Sequence, residues 1–544
     1  MRRTLSAAEV VASRLAEAGC RHAFGIPGGE VVSMIDALEK AGVAFHLVKH
    51  ENAAGFMAEG THHVTGAPGV MVATLGPGAA NGVNVVANAW QDRVPMIVLT
   101  GCVEEAEAVT YTHQVFDHRE MFRPITKASF RLADGAVGEQ IEKALAIAMG
   151  RTGDGRPGPV HIDLPIRVTR SQQEWPSPAI PRARNSATAP AGDDLETARQ
   201  WLAEAGCPIA VAGVDVLSHG AEKEVAAFCR RFGVPLITTY KAKGVLPEDD
   251  PLSLGGAGLS PTADKILAPV IAEADLILLF GYDPIEMRIG WRNLWDPRRQ
   301  RVVEIAAEGN THSMHQASLS FVCDIGAGVE ALGDIEGARD RVWKRGEPVR
   351  AREALAKAFD QSEAWGPAAL TETARKTLPP ETIATVDSGA HRILLSQMWE
   401  CYAPRQLLQS SGLCTMGGAL PLAIGAKLAA PDAPVVCFTG DAGLEMVLGE
   451  LATARDLKTA IVVVVFVDAS LALIEMKQRG ESLPNLGVDF DETNFAAIAQ
   501  ALGGHGVTVD NRLDLAEALR TAIQRDRFTV IAARIPRKAY DGRL

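Results

Sequence analysis

The sequence predicts an α/β protein built of three doubly wound, parallel-sheet domains. Short apolar runs of strand length alternate with segments of helical period along most of the chain, which is the pattern of repeated βαβ units. Glycine-rich turns follow several of these runs, where a buried strand passes into a helix. A chain of 544 residues is also too long for a single hydrophobic core. Together these observations favour several domains of one fold class.

The composition is that of a folded enzyme, since 47% of the residues are hydrophobic. The net charge of −12 argues against a nucleic-acid groove and against binding to an anionic membrane surface. No apolar run is long enough to cross a membrane, and the N-terminal segment lacks the unbroken apolar region of a signal peptide. The eight scattered cysteines include no C-x-x-C pair, as expected of reduced thiols. We therefore expect a cytoplasmic protein with no nucleic-acid or membrane partner.

The first predicted domain covers residues 1–170. Its strands and helices alternate regularly, and two of its strands end in turns rich in glycine and proline, at Pro27 and at Gly76. This alternation predicts a parallel sheet with helices on both faces. The predicted helices cover 7–18, 30–41, 52–65 and 79–89, and the predicted strands cover 23–26, 45–48, 69–74 and 96–101.

Residues 171–193 lose periodicity and collect proline, alanine, serine and arginine, which is typical of a linker between domains. The second predicted domain, residues 190–340, follows. The charged segment 336–362 is predicted to be helical and to lead into the third domain, residues 363–544. Four apolar runs of the second domain predict parallel strands over 209–213, 235–239, 276–281 and 301–305.

The stretch from residue 435 to residue 478 carries the clearest chemical signal. An apolar strand ends in the turn Gly-Asp-Ala-Gly at 440–443, a helix-period segment follows, and a second apolar strand ends at Asp468. In a right-handed βαβ unit both acidic turns lie at the carboxyl edge of the sheet, where ligands bind. Glycines let backbone N–H groups approach an anion, and carboxylates are suitable ligands for Mg²⁺. The pattern predicts a magnesium–diphosphate site, although a helix cap at Asp441 and a strand end at Asp468 are each common alone.

Two features of the first domain also suggest chemistry. Glu51 follows a strand and begins a helix of small residues, a position suited to proton transfer if another surface buries it. Its alternative role is a helix N-terminal charge favoured by the helix dipole. The turn from Gly76 to Gly82 resembles a dinucleotide fingerprint, but its spacing is G-x-G-x-x-x-G and no acidic residue follows at the required distance. A flavin- or NAD-dependent oxidoreductase is the alternative from a different class.

Four blocks resemble the thiamine-diphosphate-dependent enzymes. Gly-Asp-Ala at 440–442, followed after 24 residues by Val-Asp at 467–468, resembles the GDG…NN motif of that family. Lys-His-Glu-Asn-Ala-Ala at 49–54 resembles the R-H-E-x-A-A block, which carries the activating glutamate. Residues 75–81 resemble S-G-P-G-x-x-N, and residues 412–421 resemble G-x-G-x-M-G-x-x-L-P. The blocks stand in the family's order and span nearly the whole chain, and they are most similar to the acetolactate-synthase-like branch.

The resemblance implies a pyrimidine-binding domain first, a non-catalytic middle domain and a diphosphate-binding domain last. It implies thiamine diphosphate and Mg²⁺ as cofactors, with Glu51 of one subunit meeting the cofactor held by Asp441 of another. A homodimer or a homotetramer is therefore expected. Glu51 would activate the cofactor through a hydrogen bond to its pyrimidine ring. Mg²⁺ would be held by Asp441, Asp468 and the backbone oxygen of Ser470.

The resemblance also implies which residues contact the cofactor. The turn at 387–391 matches the family's other diphosphate-contacting turn, and Met416 matches the apolar residue that folds the cofactor into its V shape. The implied cofactor-binding residues are Pro27, Gly76, Asn81, Gly389, Ala390, His391, Met416, Gly440, Ala442 and Gly443.

Three departures from the family pattern affect these blocks, at Ala442, at Val467-Asp468, which replaces the usual asparagine pair, and at Cys414. Ala442 stands where the third position of GDG is usually glycine, which is tolerable if its φ is negative. Asp468 replaces an asparagine and adds a negative charge, yet it is still a suitable ligand for Mg²⁺. Cys414 replaces the second glycine of the 412–421 block.

Less is implied about the substrate. Gln114 matches a position near the cofactor that faces substrate. His113 stands where acetolactate synthases usually have phenylalanine, so it is either a proton donor or a histidine of a surface loop. Residues 471–478 should line the pocket. Residues 282–284 depart from the flavin-contacting segment of that branch, so FAD is doubtful as a further cofactor.

The leading hypothesis is a thiamine-diphosphate- and magnesium-dependent enzyme that decarboxylates a 2-oxo acid and joins the resulting enamine to a second carbonyl, of an aldehyde or a keto acceptor. A non-ligating 2-oxo acid decarboxylase and an acetyltransferase similar to sulfoacetaldehyde acetyltransferase are the alternatives within the family. A cofactor-binding homologue without activity is a further alternative, against which the intact Glu51 argues.

Overall fold

A computed structural model describes residues 4–152, 155–174, 188–310, 312–336, 343–359 and 362–544. Within these ranges the chain forms three six-stranded sheets whose strands all run parallel, and helices flank each sheet. The predicted α/β class with three doubly wound domains is confirmed. None of the helices in the described ranges has the length and the apolar character that a membrane crossing requires.

The first domain contains strands β1 Thr4–Ser6, β2 His22–Ile26, β3 Ala44–Leu47, β4 Gly69–Ala73, β5 Met96–Cys102, β6 Ala128–Arg131, β7 Pro159–Pro165 and β8 Gln172–Glu174. Its helices are α1 Ala7–Glu17, α2 Val32–Lys40, α3 Glu51–Thr65, α4 Pro77–Asn81, α5 Val83–Gln91, α6 Glu105–Ala108, α7 His118–Phe122, α8 Val137–Ala148 and α9 Ile166–Arg170. The sheet has the order β3-β2-β4-β5-β7-β6, and β1 pairs with β8 in an antiparallel ribbon. Strands β4, β5 and β7 are buried along their whole length, as uninterrupted apolar runs predict.

One predicted helix of the first domain is two helices in the structure. The sequence predicts a single helix over 79–89, whereas α4 and α5 meet at Gly82. A β-carbon at Gly82 would lie 2.5 Å from the methyl carbon of Met71. A larger residue would therefore have to displace the end of the Met71 side chain where the chain turns against the sheet.

The middle domain contains strands β9 Pro208–Ala212, β10 Leu236–Thr238, β11 Ser253–Gly256, β12 Leu276–Phe280, β13 Arg301–Ala306 and β14 Leu319–Val322. Its helices are α10 Asp193–Glu204, α11 Val214–Ser218, α12 Glu222–Phe232, α13 Pro261–Glu273 and α14 Ile325–Gly333, followed by α15 Glu347–Ala358. The sheet order is β11-β10-β9-β12-β13-β14. The four predicted strands are confirmed. The sequence missed β11 and β14, because these short edge strands lack the apolar run that marks a central strand.

Two predicted segments lie partly outside the described residues. The predicted linker at 171–193 includes 175–187, which the structure does not describe. The helical segment predicted at 336–362 also extends beyond the described ranges, and within them Glu347–Ala358 is helical.

The third domain contains strands β15 Ile383–Val386, β16 Leu407–Gln409, β17 Val435–Gly440, β18 Val462–Val467, β19 His505–Val509 and β20 Thr529–Arg534. Its helices are α16 Pro367–Thr377, α17 Ala390–Met398, α18 Ala419–Ala429, α19 Asp441–Glu445, α20 Glu450–Asp456, α21 Ala472–Gly480, α22 Phe495–Ala501 and α23 Arg512–Ala522. The order is β16-β15-β17-β18-β20-β19, so the predicted βαβ unit around β17 and β18 is confirmed. Two short helices, α19 and α20, stand where the sequence predicts one, and Gly449 in the break faces Lys49 of the first domain.

The first and third domains pack directly on each other through α3 and α18. A β-carbon at Gly60 of α3 would lie 2.3 Å from the carbonyl oxygen of Leu422. A β-carbon at Gly425 of α18 would lie 2.0 Å from the carbonyl oxygen of Met57. The two glycines therefore allow the backbones of the helices to approach closely. One hydrophobic core contains residues of both domains and fixes their sheets relative to each other.

Candidate active site

A cavity of about 190 Å³ opens at the carboxyl edge of the third sheet, beside the ends of β15, β17 and β18. Residues 471–474, part of the predicted pocket segment 471–478, form one wall. All ten site residues that the sequence predicts in the third domain line this cavity: Gly389, Ala390, His391, Met416, Gly440, Asp441, Ala442, Gly443, Asp468 and Ser470.

Asp441 and Asp468 lie side by side at the ends of β17 and β18. The Oδ2 atom of Asp441 accepts the backbone N–H of Asp468 at 3.1 Å and that of Ala469 at 2.7 Å. Burial and the neighbouring charge of Asp441 raise the pKa of Asp468 to about 7. Burial also raises the pKa of Asp441. The folded chain thus places two carboxyl groups where their negative charges are unfavourable.

These carboxylates fit a divalent cation. In the described part of the chain neither carboxylate forms an ion pair with a lysine or arginine, and Oδ2 of Asp468 is buried without a hydrogen-bond partner. A buried carboxylate oxygen without a donor is unfavourable unless a ligand compensates it. Ser470 lies next to them, and its hydroxyl is held by Asp489 at 2.8 Å. The cavity therefore offers several hard oxygen atoms of the kind that Mg²⁺ prefers.

Glycine turns next to these carboxylates fit an anionic group. A β-carbon at Gly443 would lie 2.2 Å from Oδ2 of Asp387, and one at Gly389 would lie 2.7 Å from the ring of His391. Burial lowers the pKa of His391 to about 3, so its imidazole is neutral. The buried Nε2 atom of His391 has no hydrogen-bond partner among the described residues. Glycine turns at the starts of α17 and α19, with this imidazole between them, suit the diphosphate that the sequence predicts.

Asp387 shapes the turn that contains Met416. Its buried carboxylate accepts the backbone N–H of Gly417 at 2.9 Å and of Gly418 at 3.2 Å. The hydroxyl of Thr439 donates to the same carboxylate at 3.2 Å. The turn is therefore fixed against β15 and β17, and the Met416 side chain faces the cavity.

The backbone conformation shows how the chain accommodates two departures from the family pattern, at Ala442 and at Cys414. Ala442 lies in the first turn of α19 with helical conformation, so the condition of a negative φ is met. Cys414 has a φ of 51°, the left-handed conformation that glycine adopts without strain. Its thiol donates to the carbonyl oxygen of Ser411 at 2.9 Å and borders the cavity.

Four of the residues predicted in the first domain form a second group. Glu51 is the first residue of α3 and is 5% exposed. Its Oε2 atom accepts a hydrogen bond from Asn81 at 2.9 Å, and a β-carbon at Gly78 would lie 3.2 Å from its Oε1 atom. Gly76 lies against Gln114, since a β-carbon there would be 2.5 Å from the Gln114 carbonyl oxygen. The structure brings Glu51, Asn81, Gly76 and Gln114 together at the carboxyl edge of the first sheet.

Pro27 and His113 are held less tightly. Pro27 is exposed just after β2, and His113 is exposed in the loop before α7. The His113 ring lies edge-on to Tyr111, with 6.3 Å between the ring centroids. Their roles stay predictions.

Among the described residues, none from the first domain lines the cavity of the third domain. In the single chain the Glu51 group is therefore not part of the wall of the cavity that contains Asp441. The expected meeting of the two groups between subunits stays a prediction.

Two further residues line the cavity that the sequence did not single out, Phe466 and Tyr540, and Ser388 of the predicted turn at 387–391 lines it as well. Phe466 stacks on the imidazole of His391, with 5.2 Å between the ring centroids. In the sequence Phe466 belongs to an apolar run and has the pattern of a core residue. Tyr540 lies in the C-terminal segment, where neither period nor motif marks it. Only the folded sheet brings these side chains to the cavity.

Three family models match the chain, one within each of its three domains. Residues 5–121 match the N-terminal TPP binding domain of thiamine pyrophosphate enzymes, thiamine pyrophosphate being another name for thiamine diphosphate. Residues 195–332 match the central domain of these enzymes. Residues 387–533 match their C-terminal TPP binding domain, which covers the cavity from Asp387 to β20.

Curated proteins resemble the chain over nearly its full length. The acetolactate synthase of Bacillus subtilis is 28% identical, over 96% of this chain and 92% of its own length. The acetolactate synthase isozyme 1 large subunit of Escherichia coli is 30% identical, over 98% and 94%. A probable 2-ketoarginine decarboxylase of Pseudomonas aeruginosa is 30% identical, over 92% and 89%. The chain therefore belongs to the thiamine-pyrophosphate-dependent enzymes, in the branch that includes the acetolactate synthases.

Proposed function

We propose that the protein uses thiamine diphosphate and Mg²⁺ to decarboxylate a 2-oxo acid and to join the remaining carbonyl unit to a second carbonyl compound, an aldehyde or a keto acid. The observation that carries the proposal is the uncompensated pair Asp441 and Asp468 in one cavity with two glycine turns and Met416. The acetolactate synthases among the relatives support ligation as the outcome.

The residues of the cavity have distinct proposed roles. Asp441, Asp468 and Ser470 would hold Mg²⁺, and the turns at Gly389 and Gly440 would hold the diphosphate. A bound cation would relieve the repulsion that raises the pKa of Asp468. Bound thiamine diphosphate supplies an electron sink for the electron pair left by the departing CO₂. The apolar walls at Met416, Phe466 and 471–474 would exclude water from the reacting carbon.

Glu51 is the proposed acid–base residue. Its carboxylate is buried and accepts a hydrogen bond from Asn81, which supports a role in which it would exchange a proton with the pyrimidine ring of the cofactor. We propose a homodimer or homotetramer in which Glu51 of one subunit completes the cavity of another. Gln114 and His113 would then face the substrate. The free thiols of all eight cysteines support the cytoplasm as the proposed location.

A non-ligating decarboxylase is the second candidate function. The probable 2-ketoarginine decarboxylase is as similar to this chain as the acetolactate synthase isozyme, so the family alone does not select the acceptor. In that reaction a proton, which His113 would supply, takes the place of the second carbonyl. FAD is not part of either proposal.

The test is incubation of the purified enzyme, thiamine diphosphate and Mg²⁺ with a panel of 2-oxo acids, with and without aldehydes, followed by product identification. We expect CO₂ release and a hydroxyketone product that requires both carbonyl compounds. An aldehyde as the sole product from every 2-oxo acid would favour the second candidate. Absence of CO₂ release across the panel, with cofactor bound, would contradict both.

Glu51→Gln is the matched variant for that assay, because it keeps the shape of the side chain and the acceptor for Asn81. We expect unchanged cofactor binding and a decrease of about 10²–10⁴-fold in turnover. Proton exchange at the reactive carbon of the cofactor, followed by NMR in deuterated water, should slow in parallel. Unchanged exchange would remove Glu51 from its proposed role.

A further inference from the structure

A chain of buried polar side chains lies beneath the turn that carries Gly76. Ser129 Oγ lies 2.7 Å from Nδ1 of His161, and Nε2 of His161 lies 2.7 Å from Oγ1 of Thr100. Thr100 donates to Oδ1 of Asp163 at 2.8 Å, and Nδ1 of His118 lies 2.9 Å from the same oxygen. These residues stand on β5, β6, β7 and α7, so the chain crosses the end of the first sheet.

The last link of the chain reaches the backbone of the predicted site. The N–H of Gly76 donates to Nε2 of His118 at 3.1 Å. Because Nε2 accepts this bond, the proton of a neutral His118 must be on Nδ1, where it is donated to Asp163. Thr100 gives its hydroxyl proton to Asp163 and therefore accepts from Nε2–H of His161. Every donor in the chain thus has one acceptor, with both imidazoles neutral.

Gly76 needs such support because its conformation is unusual. It has φ 63° and ψ −109°, and it precedes Pro77, the first residue of α4. Glycine alone adopts this region readily. The same short helix brings Gly78 against Oε1 of Glu51 and ends at Asn81, which donates to Oε2 of Glu51. The orientation of the turn therefore decides where Asn81 holds the Glu51 carboxylate.

We infer that His118 is a positioning residue of the active site: its Nε2 atom fixes the Gly76 turn, and through that turn it sets the positions of Asn81 and Glu51. Asp163 orients His118 through Nδ1, in the way that a carboxylate fixes the tautomer of a histidine. His118 itself lies under the turn, 3% exposed, and Gly76 and Asn81 stand between it and Glu51. The inference rests on the proposed role of Glu51, but its first test does not need catalysis.

A divalent metal is the competing interpretation of the same residues. His118, His161 and Asp163 each place one potential ligand atom within 4.8 Å of the others. However, each of these atoms already takes part in a short hydrogen bond within the chain, and Thr100 lies between His161 and Asp163. An ion would have to break several of these bonds. The hydrogen-bonded chain is therefore the arrangement that the geometry favours.

Three variants of His118 distinguish the contact of Nε2 with Gly76 from the contact of Nδ1 with Asp163. In His118→Gln the side-chain carbonyl reaches the position of Nε2 and can still accept from Gly76. In His118→Asn the shorter amide reaches the position of Nδ1 but not Gly76. His118→Leu removes both contacts. Amide hydrogen exchange of the free enzyme, followed in peptides that span residues 75–82, reports directly on the Gly76 N–H.

We expect exchange at Gly76 to be at least tenfold faster in His118→Asn and His118→Leu, and within threefold of wild type in His118→Gln. Peptides from β12 of the middle domain should be unchanged in all three, which excludes global unfolding. With substrate, kcat should fall about tenfold in the Asn and Leu variants while KM changes less than twofold. His118→Gln should restore kcat to within threefold.

Equal behaviour of the Asn and Gln variants would overturn the inference, as would unchanged Gly76 exchange in all three. Stoichiometric metal in the purified enzyme, whose removal by a chelator speeds Gly76 exchange, would replace it with the metal interpretation. If the Asn and Leu variants do not fold, Thr100→Val supplies the test, since it removes the hydroxyl that binds Asp163 and should speed Gly76 exchange about threefold. If exchange responds as expected and no 2-oxo acid is turned over, the proposed function fails and the positioning contact stands.

Discussion

The middle and C-terminal sheets both place acidic side chains at the carboxyl ends of adjacent strands. In the middle domain Asp215, Asp283 and Glu308 follow β9, β12 and β13, which are neighbours in the sheet. All three contact the guanidinium group of Arg93, which enters from the first domain and is 7% exposed. The acidic charge at this sheet edge is therefore partly compensated by arginines of the protein itself.

At the C-terminal sheet the acidic side chains of the carboxyl edge are not compensated by an arginine or a lysine of the described residues. Asp441 and Asp468 follow the adjacent strands β17 and β18, and within the described ranges they have backbone donors but no lysine or arginine partner. One fold thus uses acidic strand ends in two ways. A cluster compensated by its own arginine holds two domains together, whereas an uncompensated cluster in a cavity is ready for an external cation.

Removal of the internal cation should have the largest effect on stability. Arg93→Ala removes this guanidinium from the buried Asp215 and Asp283 and from the half-buried Glu308, and leaves Arg156 next to Asp283 and Glu308. Breaking a buried ion pair by removing one partner costs about 3–5 kcal/mol. We expect a loss of that size in the free energy of unfolding, measured by urea denaturation. Arg123→Ala, which removes an exposed partner of Glu120, is the control and should change stability by less than about 0.5 kcal/mol.

A loss of less than about 1 kcal/mol in the free energy of unfolding of Arg93→Ala would contradict the contrast between the compensated middle edge and the uncompensated C-terminal edge. It would mean that the acidic groups of the middle edge take up protons or water as readily as those of the C-terminal edge do.

The same substitution at the two edges should have opposite signs. Asp468→Asn removes a carboxylate whose pKa is raised to about 7, so above that pH the folded state no longer holds an unfavourable charge. A shift of this size corresponds to about 4 kcal/mol of stabilisation of the free enzyme at pH 8. Asp283→Asn instead weakens the cluster at Arg93 and should destabilise the protein. Urea denaturation of both variants at pH 8, without cofactor or metal, gives the comparison.

Addition of Mg²⁺ and thiamine diphosphate should then reduce the difference between Asp468→Asn and wild type, because the cation compensates the carboxylate. Destabilisation of the free enzyme by Asp468→Asn would show that groups of the protein already compensate this carboxylate, so that it does not require a bound cation.

Each of the two sheet edges also contains a buried histidine. Acid should lower the free energy of unfolding through the protonation of both histidines. His315 of the middle domain stacks on Tyr282 and is bonded through Nε2 to the carbonyl oxygen of Trp291 at 2.8 Å. Burial lowers its pKa to about 4, and burial lowers the pKa of His391 to about 3. A lowered histidine pKa means that the unfolded chain takes up the proton first. Stability is then complete above the ordinary pKa of 6.5 and is lost as pH falls from there toward 4.

For His315 this loss amounts to about 2 kcal/mol between pH 7.5 and pH 5. His315→Gln should be less stable than wild type at pH 7.5 but should lose correspondingly less on acidification. The measurement is the free energy of unfolding at the two pH values for both proteins. Equal losses would show that His315 is accessible to protons in the folded state.

The uncompensated edge could be predicted from the sequence, because the signal is local. An apolar run of strand length, a glycine turn and an acidic residue stand within ten or so positions, and the order of β17 and β18 in a βαβ unit brings Asp441 to Asp468. The glycines at 389 and 440–443 belong to the same local patterns. All ten predicted residues of the third domain accordingly line one cavity.

The compensated edge could not be predicted, because its partners are distant in the chain. Arg93 contacts acidic residues 122, 190 and 215 positions away, and in the sequence it is an ordinary arginine after a helix. His118 and Asp163, 45 positions apart, were missed for the same reason. Tyr540 reaches the cavity only because β20 lies beside β18. Local patterns identify strand ends, while the packing of domains decides which charges meet.

The smallest expected effect on stability concerns backbone strain at the uncompensated edge of the C-terminal sheet. Cys414 has φ 51° at the position of the second glycine in the block that residues 412–421 resemble, and Lys458, in the loop before β18, has φ 52°. A side chain in this region costs about 1 kcal/mol, partly offset by the greater freedom of glycine in the unfolded chain. Cys414→Gly and Lys458→Gly should each stabilise the free enzyme by about 0.5 kcal/mol, measured by urea denaturation. Cofactor affinity should change only in Cys414→Gly, because Cys414 borders the cavity. Destabilisation by Cys414→Gly but not by Lys458→Gly would show that the contacts of the Cys414 thiol with Ser411 and Arg392 outweigh the backbone strain. The uncompensated edge would then be more rigid than the lack of a cationic partner for its carboxylates suggests.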